Sequence, residues 1–249
     1  MTLRKSAILV VMLLVLPLIA NADFKLVQVV HVDGYTVQGQ NMPAKTDTSV
    51  TWLGSGQARI DVDDTTSFVI LADKDMMYKL DHIDKKYTEM PVGGLASVIK
   101  AQGDKDSTAM AQAKMMLDMF RIKAKVTPSE ETQKIGSWNC KKYEMVIEIA
   151  GTPTTTEMWV TEDIELDYDL YHWAAHNMKA LLPGFDDVLK EMKKIKGIQV
   201  KSTTNAKFMG GIDMKTTTDL ISADKTTAPA GSFSIPEGYK QTDLKMPGM

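Results

Sequence analysis

The chain has 249 residues, 44% of them hydrophobic and 24% charged, with one cysteine and a formal net charge of −3. A weakly acidic balance offers no clustered lysines and arginines to displace counterions from phosphates, which excludes nucleic acid as a partner. A lone cysteine excludes an intramolecular disulfide, so packing alone must hold the fold.

Residues 1–22 set Arg4 and Lys5 ahead of the apolar run Ala7 to Ile19, and close on Ala20-Asn21-Ala22. Basic start, short apolar stretch and small residues at the end are the pattern of a cleaved secretory signal. The run is shorter than the ~20 apolar residues that span a bilayer, so no stable transmembrane anchor is expected. No cysteine stands just after Ala22 to take a lipid. The expected product is exported, to the periplasm or beyond the cell, because one signal serves both. It is expected to be a single domain over residues 23–249. Loss of Arg4 and Lys5 leaves 27 bases against 32 acids, a net charge of −5.

From there, alternation of period two dominates. Val50 and Trp52 alternate with Ser49 and Thr51; Ala58, Ile60 and Val62 with Arg59 and Asp61; Met76, Tyr78 and Leu80 with Lys79 and Asp81. Further on, Ile122, Ala124 and Val126 oppose Lys123 and Lys125, while Tyr143, Met145, Ile147 and Ile149 oppose Glu144 and Glu148. Late in the chain, Ile212, Met214 and Leu220 share a parity with Thr216 and Thr218. One wet and one covered face per strand implies an antiparallel sheet, since fully buried parallel strands read as unbroken apolar runs. Short polar turns (Asp33-Gly34, Gly54-Ser55-Gly56, Asp73-Lys74-Asp75, Asp84-Lys85-Lys86, Gly210-Gly211) suit hairpins between neighbouring strands. Residues 226–231 read as a loose end.

Two helical interruptions are expected. The first follows Pro91, over residues 95–100 and 107–120, where Met110, Leu117 and Phe120 fall at helical spacing and Met115, Met116 and Met119 widen the stripe. The second covers residues 170–182 and 185–195, broken at Pro183-Gly184. Asp186 and Asp187 lie in the first turn of its second part, with Lys193, Lys194, Lys196 and Gly197 at its end, as the helix dipole and a C-terminal cap favour. The expected architecture is mainly β (α+β): a curved antiparallel sheet or half-barrel covered by amphipathic helices.

Several short segments stand in a recognisable order: Ser49-Val50-Thr51-Trp52, Gln57-Ala58-Arg59-Ile60-Asp61, Ser67-Phe68-Val69-Ile70-Leu71-Ala72-Asp73 and Met77-Tyr78-Lys79-Leu80-Asp81, then Lys86-Tyr87. They continue through Gly136-Ser137-Trp138-Asn139-Cys140-Lys141-Lys142-Tyr143, Glu157-Met158-Trp159-Val160-Thr161 and Phe233-Ser234-Ile235-Pro236-Glu237-Gly238-Tyr239. In this order they resemble an exported bacterial family of unknown function related to LolA and LolB, the periplasmic lipoprotein carriers. The resemblance implies a half-barrel with a helical lid that holds acyl chains. It also implies a lid-latching arginine, best matched by Arg59, although alternation turns Arg59 away from the face of Ala58, Ile60 and Val62 unless a bulge intervenes.

Chemical motifs are sparse. His172 and His176, with Asp169 a turn earlier, share a helix face but lack the HExxH pattern, so no metal site is expected. Glu165, Asp167 and Asp169 begin like a calcium loop, yet Leu170 and His176 stand where the Gly and the closing Glu belong. Gly54-Ser55-Gly56 lacks a strand-to-helix setting for a nucleophile. Cys140, at the start of a strand, reads as a small buried hydrophobe.

The expected function is therefore non-enzymatic and cofactor-free: an exported protein binding an acyl chain or other apolar small molecule between sheet and helices. The expected lining is Val50, Trp52, Ile60, Val62, Tyr78, Met145, Ile147 and Met214 from strands, and Met110, Met115, Leu117 and Met119 from the first helix. The alternative is an envelope interaction or structural protein in which the same residues are a filled core.

Overall fold

The computed structural model describes residues 23–37, 39–91, 122–149, 151–166, 185–208 and 212–243. Fourteen strands are found among them: β1 (Phe24–Val32), β2 (Tyr35–Val37), β3 (Gln40–Met42), β4 (Lys45–Gly54), β5 (Gln57–Asp61), β6 (Thr66–Leu71), β7 (Met76–Asp81), β8 (Lys86–Pro91), β9 (Ile122–Ile135), β10 (Trp138–Ile149), β11 (Thr152–Thr161), β12 (Ile198–Phe208), β13 (Ile212–Lys225) and β14 (Lys240–Thr242). Twelve of them form one curved open sheet in the order β14-β8-β7-β6-β5-β4-β1-β13-β12-β11-β10-β9, and β2-β3 is a separate small hairpin.

The pairing is antiparallel throughout the large sheet except for β14, which lies parallel to β8. Most consecutive strands are neighbours. The exceptions organise the molecule: β1 sits between β4 and β13, and the chain leaves β8 near one margin and re-enters as β9 at the other.

One α-helix is present among the described residues, α1 (Phe185–Met192), which ends through Lys193 to Ile195 in short-range backbone bonds. It is shorter than the sequence suggests, and residues 95–100, 107–120 and 170–182 lie outside the described residues. Helices as the general cover of the sheet are thus reduced, in what is described, to this one element. Its Val188 is buried. The Glu191 carboxylate accepts the Val126 N–H of the margin strand β9 at 2.7 Å. A side chain thereby satisfies a donor that a sheet edge leaves unpaired. The rest of β9 carries Lys123, Lys125, Pro128 and Lys134 and shifts register near Lys141, devices that keep an edge from recruiting another strand.

Register assigns every strand residue to one of two faces. The helix face, on which α1 packs, carries Phe24, Leu26, Leu53, Ala58, Ile70, Val200 and Leu220 at one end and Val126, Tyr143, Met158 and Val160 beneath α1. Leu53, Ala58, Ile198 and Val200 are at most 2% exposed, so this end is filled. The opposite face, over β5 to β8, carries Val69, Tyr78 and Leu80 and is covered by Phe233, Ile235 and Tyr239. We call residues 226–239 the strap.

The strap corrects the reading of residues 226–231 as a loose end. Thr226 N–H donates to the Asp23 carbonyl at 3.0 Å and Ala228 N–H to the Asp23 carboxylate at 2.8 Å, tying it to the start of β1. Turns at Pro229–Ser232 and Pro236–Tyr239 then fold it over the sheet, and β14 fixes its far end on β8. Burial of Val69 and Leu80, each fully enclosed, contributes about 1.5–3 kcal/mol apiece.

Candidate functional site

The eight strand positions proposed as a lining do not share one face of the sheet. On the helix face lie Ile60, Met145, Ile147 and Met214, all half-buried, with Val62 at the end of that face and 40% exposed. Val50, Trp52 and Tyr78 lie on the strap face instead. Met110, Met115, Leu117 and Met119 lie outside the described residues.

The division follows from one tight turn. The Ser55-Gly56 reversal pairs Leu53 with Ala58 and Trp52 with Arg59, so even-numbered positions of β4 face with odd-numbered positions of β5. The β6–β7 pairing does the same, matching Val69 with Tyr78. Trp52 is engaged there by the Lys25 ammonium, 5.3 Å from its ring. An equivalent pair, Lys142 over Trp159 at 5.8 Å, lies on the same side of β10 and β11.

Two adjoining zones of the helix face differ in chemistry. Met145, Ile147, Val126 and Ala124 on β9 and β10 continue across the sheet into Thr154, Thr156, Thr204, Ser202, Thr216 and Thr218 on β11 to β13, with Ala206 and Met214 above them. The Thr156 and Thr204 hydroxyls bond each other at 2.9 Å. Threonine presents both a methyl and a hydroxyl, so this stretch accommodates apolar and polar contacts alike.

Two cavities border the described residues. One of about 320 Å3 lies by Asp33, Lys207 and Met214. The other, about 370 Å3, lies at the foot of β9 to β11 between Lys134, Lys141, Asp163 and Lys196, with Cys140 and Val160 in its wall. Both are lined by polar and charged groups rather than forming a wholly apolar hollow. Cys140 is buried, and desolvation pushes its thiol above the ordinary value.

On the strap face the structure assembles a polar network that sequence reasoning did not find. Arg59 Nε donates to the Asp61 carboxylate at 2.7 Å, Nη2 to Ser67 Oγ at 3.3 Å and Nη1 to the Ser232 carbonyl at 3.2 Å. Ser67 Oγ donates to Asp61, His82 Nε2 lies 2.6 Å from Ser67 Oγ, and His82 Nδ1 lies 2.6 Å from the Tyr239 hydroxyl. With the single Ser67 proton directed at a carboxylate that can only accept, Ser67 must accept from His82 Nε2–H; Nδ1 then accepts from Tyr239. The order is Tyr239 to His82 to Ser67 to Asp61, with Arg59 closing it.

Ser67 is 1% exposed and gives its proton to an acid rather than to the imidazole, so the cluster lacks the nucleophile-and-base arrangement of acyl transfer. Its geometry is that of a clasp joining strap to sheet. Arg59 keeps the orientation that alternation dictates, as β5 pairs regularly on both sides. The segments Arg59-Ile60-Asp61, Ser67 and Phe233 to Tyr239, far apart in sequence, all meet here.

Asp169, His172 and His176, with Asp167, lie outside the described residues, while Glu165 is exposed. Among the described residues no group of three His, Cys, Asp or Glu side chains is arranged to hold a metal. Nor is any helix among them long and apolar enough to cross a membrane.

These features define a mainly β protein built on one large curved open antiparallel sheet, with a helix on one face and a C-terminal strap on the other. The chain belongs to the family described as Domain of unknown function (DUF4412), whose model matches residues 40–239. Among solved structures it is similar to the crystal structure of a LolA superfamily protein, NE2245 from Nitrosomonas europaea, at 8% identity, over 86% of this chain and 90% of that one, with a TM-score of 0.27. No curated protein matches the chain.

Proposed function

We propose that this is an exported, non-catalytic binding protein that holds an acyl chain or another apolar ligand on the helix face of its sheet. The observation that carries the reading is the run of half-buried apolar side chains on adjacent strands, Met145, Ile147 and Ala124, which borders the buried Val126 and is continuous with the amphipathic threonine zone and Met214. A ligand site of this kind needs a mostly apolar surface with few polar groups, and methionine adapts to guests of varied shape. The basic and apolar pattern of residues 1–22 supports export.

A second reading is an envelope scaffold without a ligand, favoured by the filled end of the helix face around Leu53, Ala58, Ile198 and Val200. Solvent extraction of the purified protein followed by mass spectrometry, with titration of a fluorescent fatty acid, separates the two. A co-purified lipid and saturable binding are expected. Absence of both leaves the scaffold.

A further inference from the structure

We infer that the pocket at the foot of β9 to β11 receives the anionic headgroup, carboxylate or phosphate, of an amphiphile whose apolar part lies on the helix face. This rests on the binding reading above and adds to it the chemical class of ligand.

Three elements converge on the pocket. Lys134 comes from β9, Lys141 from β10, and Lys196 from the chain just after α1, around a volume of about 370 Å3. Register sets Lys134, Asn139, Lys141 and Val160 on the helix face, below Tyr143 and Met158. Val160 belongs both to the pocket wall and to the apolar cluster under α1, so the polar recess and the apolar surface share a border. Along β10, Lys141 and Met145 are four residues apart, about 13 Å at strand rise. Tyr143, 4% exposed beneath α1, lies between them, so one molecule with a charged end in the recess and an apolar body at Met145 has to part α1 from β10.

The charge state of the recess favours an anion. Among the described residues Lys134, Lys141 and Lys196 make no ion pair, whereas the adjacent Lys142, turned to the other face, is held by Glu131 at 3.3 Å and Glu157 at 2.9 Å. Two acids also line the recess. Asp163 is engaged by the Asn139 N–H at 2.7 Å and Nδ2–H at 3.1 Å, and Glu162 is exposed. Three lysines against two carboxylates, one of them turned by its Oδ2 to the two Asn139 donors, leave a net positive charge for a ligand.

The test compares a long-chain fluorescent fatty acid with its uncharged methyl ester, on the full chain and on the triple variant K134Q/K141Q/K196Q, at low and high salt. Inorganic phosphate alone is the third probe. The expected result is about tenfold tighter binding of the acid than of the ester, a gap that closes in the variant and shrinks with salt. Circular dichroism confirms that the variant, altered only at solvent-accessible lysines, keeps its fold.

Equal binding of acid and ester to the unaltered chain overturns the headgroup pocket and leaves the apolar site standing. Binding of neither overturns both readings. Phosphate binding that the variant loses, without binding of either amphiphile, also overturns the proposal, because the recess then serves a free anion.

Discussion

The Arg59 guanidinium donates to the backbone carbonyl of Ser232, 3.2 Å away and 173 positions along the chain, and so fastens the middle of the sheet to the strap. The same guanidinium neutralises Asp61 at 2.7 Å, with the Arg59 side chain 17% exposed. Arg59→Ala is therefore expected to cost about 1–3 kcal/mol, because it leaves a partly buried carboxylate, 28% exposed, without its counter-charge. Urea unfolding measures the loss, and limited proteolysis should show new cleavage within residues 226–239. Unchanged resistance there would show that the strap is held without Arg59.

Tyr239→Phe keeps the ring packed near Tyr78 and Leu80 but removes the donor to His82 Nδ1. A cost of about 1–3 kcal/mol is expected for one unsatisfied enclosed acceptor. Hydrogen exchange at Tyr239 and Lys240, compared with β12, reports whether the loss is local to the strap. His82→Ala should cost more, since it removes the partner of Tyr239 and one of the donors to Ser67 together with the ring packed between them.

Acid sensitivity has two identified sources. The Thr65 hydroxyl, followed by the Thr65 N–H, holds the Asp63 carboxyl well below its ordinary value. Lys194, followed by the Val126 N–H, lowers Glu191. Folded values below unfolded ones mean that this stabilisation is complete above the ordinary carboxylate range. It fades as pH drops below about 4.5 and is lost as pH falls through each folded value. Denaturation midpoints compared at neutral pH and near pH 3 should converge in Asp63→Asn and Glu191→Gln relative to the unaltered chain.

Gly197 joins the segment after α1 to β12 with φ +121, and a Cβ there would press into the Thr161 carbonyl. Gly197→Ala combines a left-handed strain with a clash against backbone, so a loss of about 3 kcal/mol or more is expected. Thermal unfolding followed by circular dichroism checks it; a midpoint within a degree or two of the parent would refute the close approach.

The two faces also separate binding from stability. Ile147→Glu and Met214→Lys, on half-buried helix-face positions, should weaken fluorescent fatty-acid binding at least about tenfold while the far-ultraviolet spectrum is retained. Trp52→Ala, on the strap face, should leave binding unchanged. The reverse pattern would move the ligand to the other side of the sheet.

Much of the architecture was legible from alternation, because each strand's wet and covered sides follow directly from a period of two. Ile122 to Val126, Tyr143 to Ile149 and Ile212 to Leu220 occupy the faces their patterns indicate. How strands combine was harder, since parity passes across a hairpin only through the length of its turn. The two residues Ser55-Gly56 were the available signal that Trp52 keeps company with Arg59 rather than Ala58. The unbroken run Phe68-Val69-Ile70-Leu71 was the signal that β6 is covered on both sides, with Val69 under the strap and Ile70 in the helix-face core. What covers it could not be read locally, because Phe233 and Tyr239 arrive from more than 150 positions away. The clasp of Ser67, His82 and Tyr239 was invisible for the same reason.

The parallel pairing of Lys240–Thr242 with Lys86–Thr88 gives the fold a late closing step. During synthesis the outer margin at β8 and the apolar surface of Tyr78 and Leu80 stay open until residues 233–242 are available. A polypeptide emerging from its beginning would thus carry a sticky flank long before its own seal arrives, an interval in which an unpaired strand margin invites association with other chains.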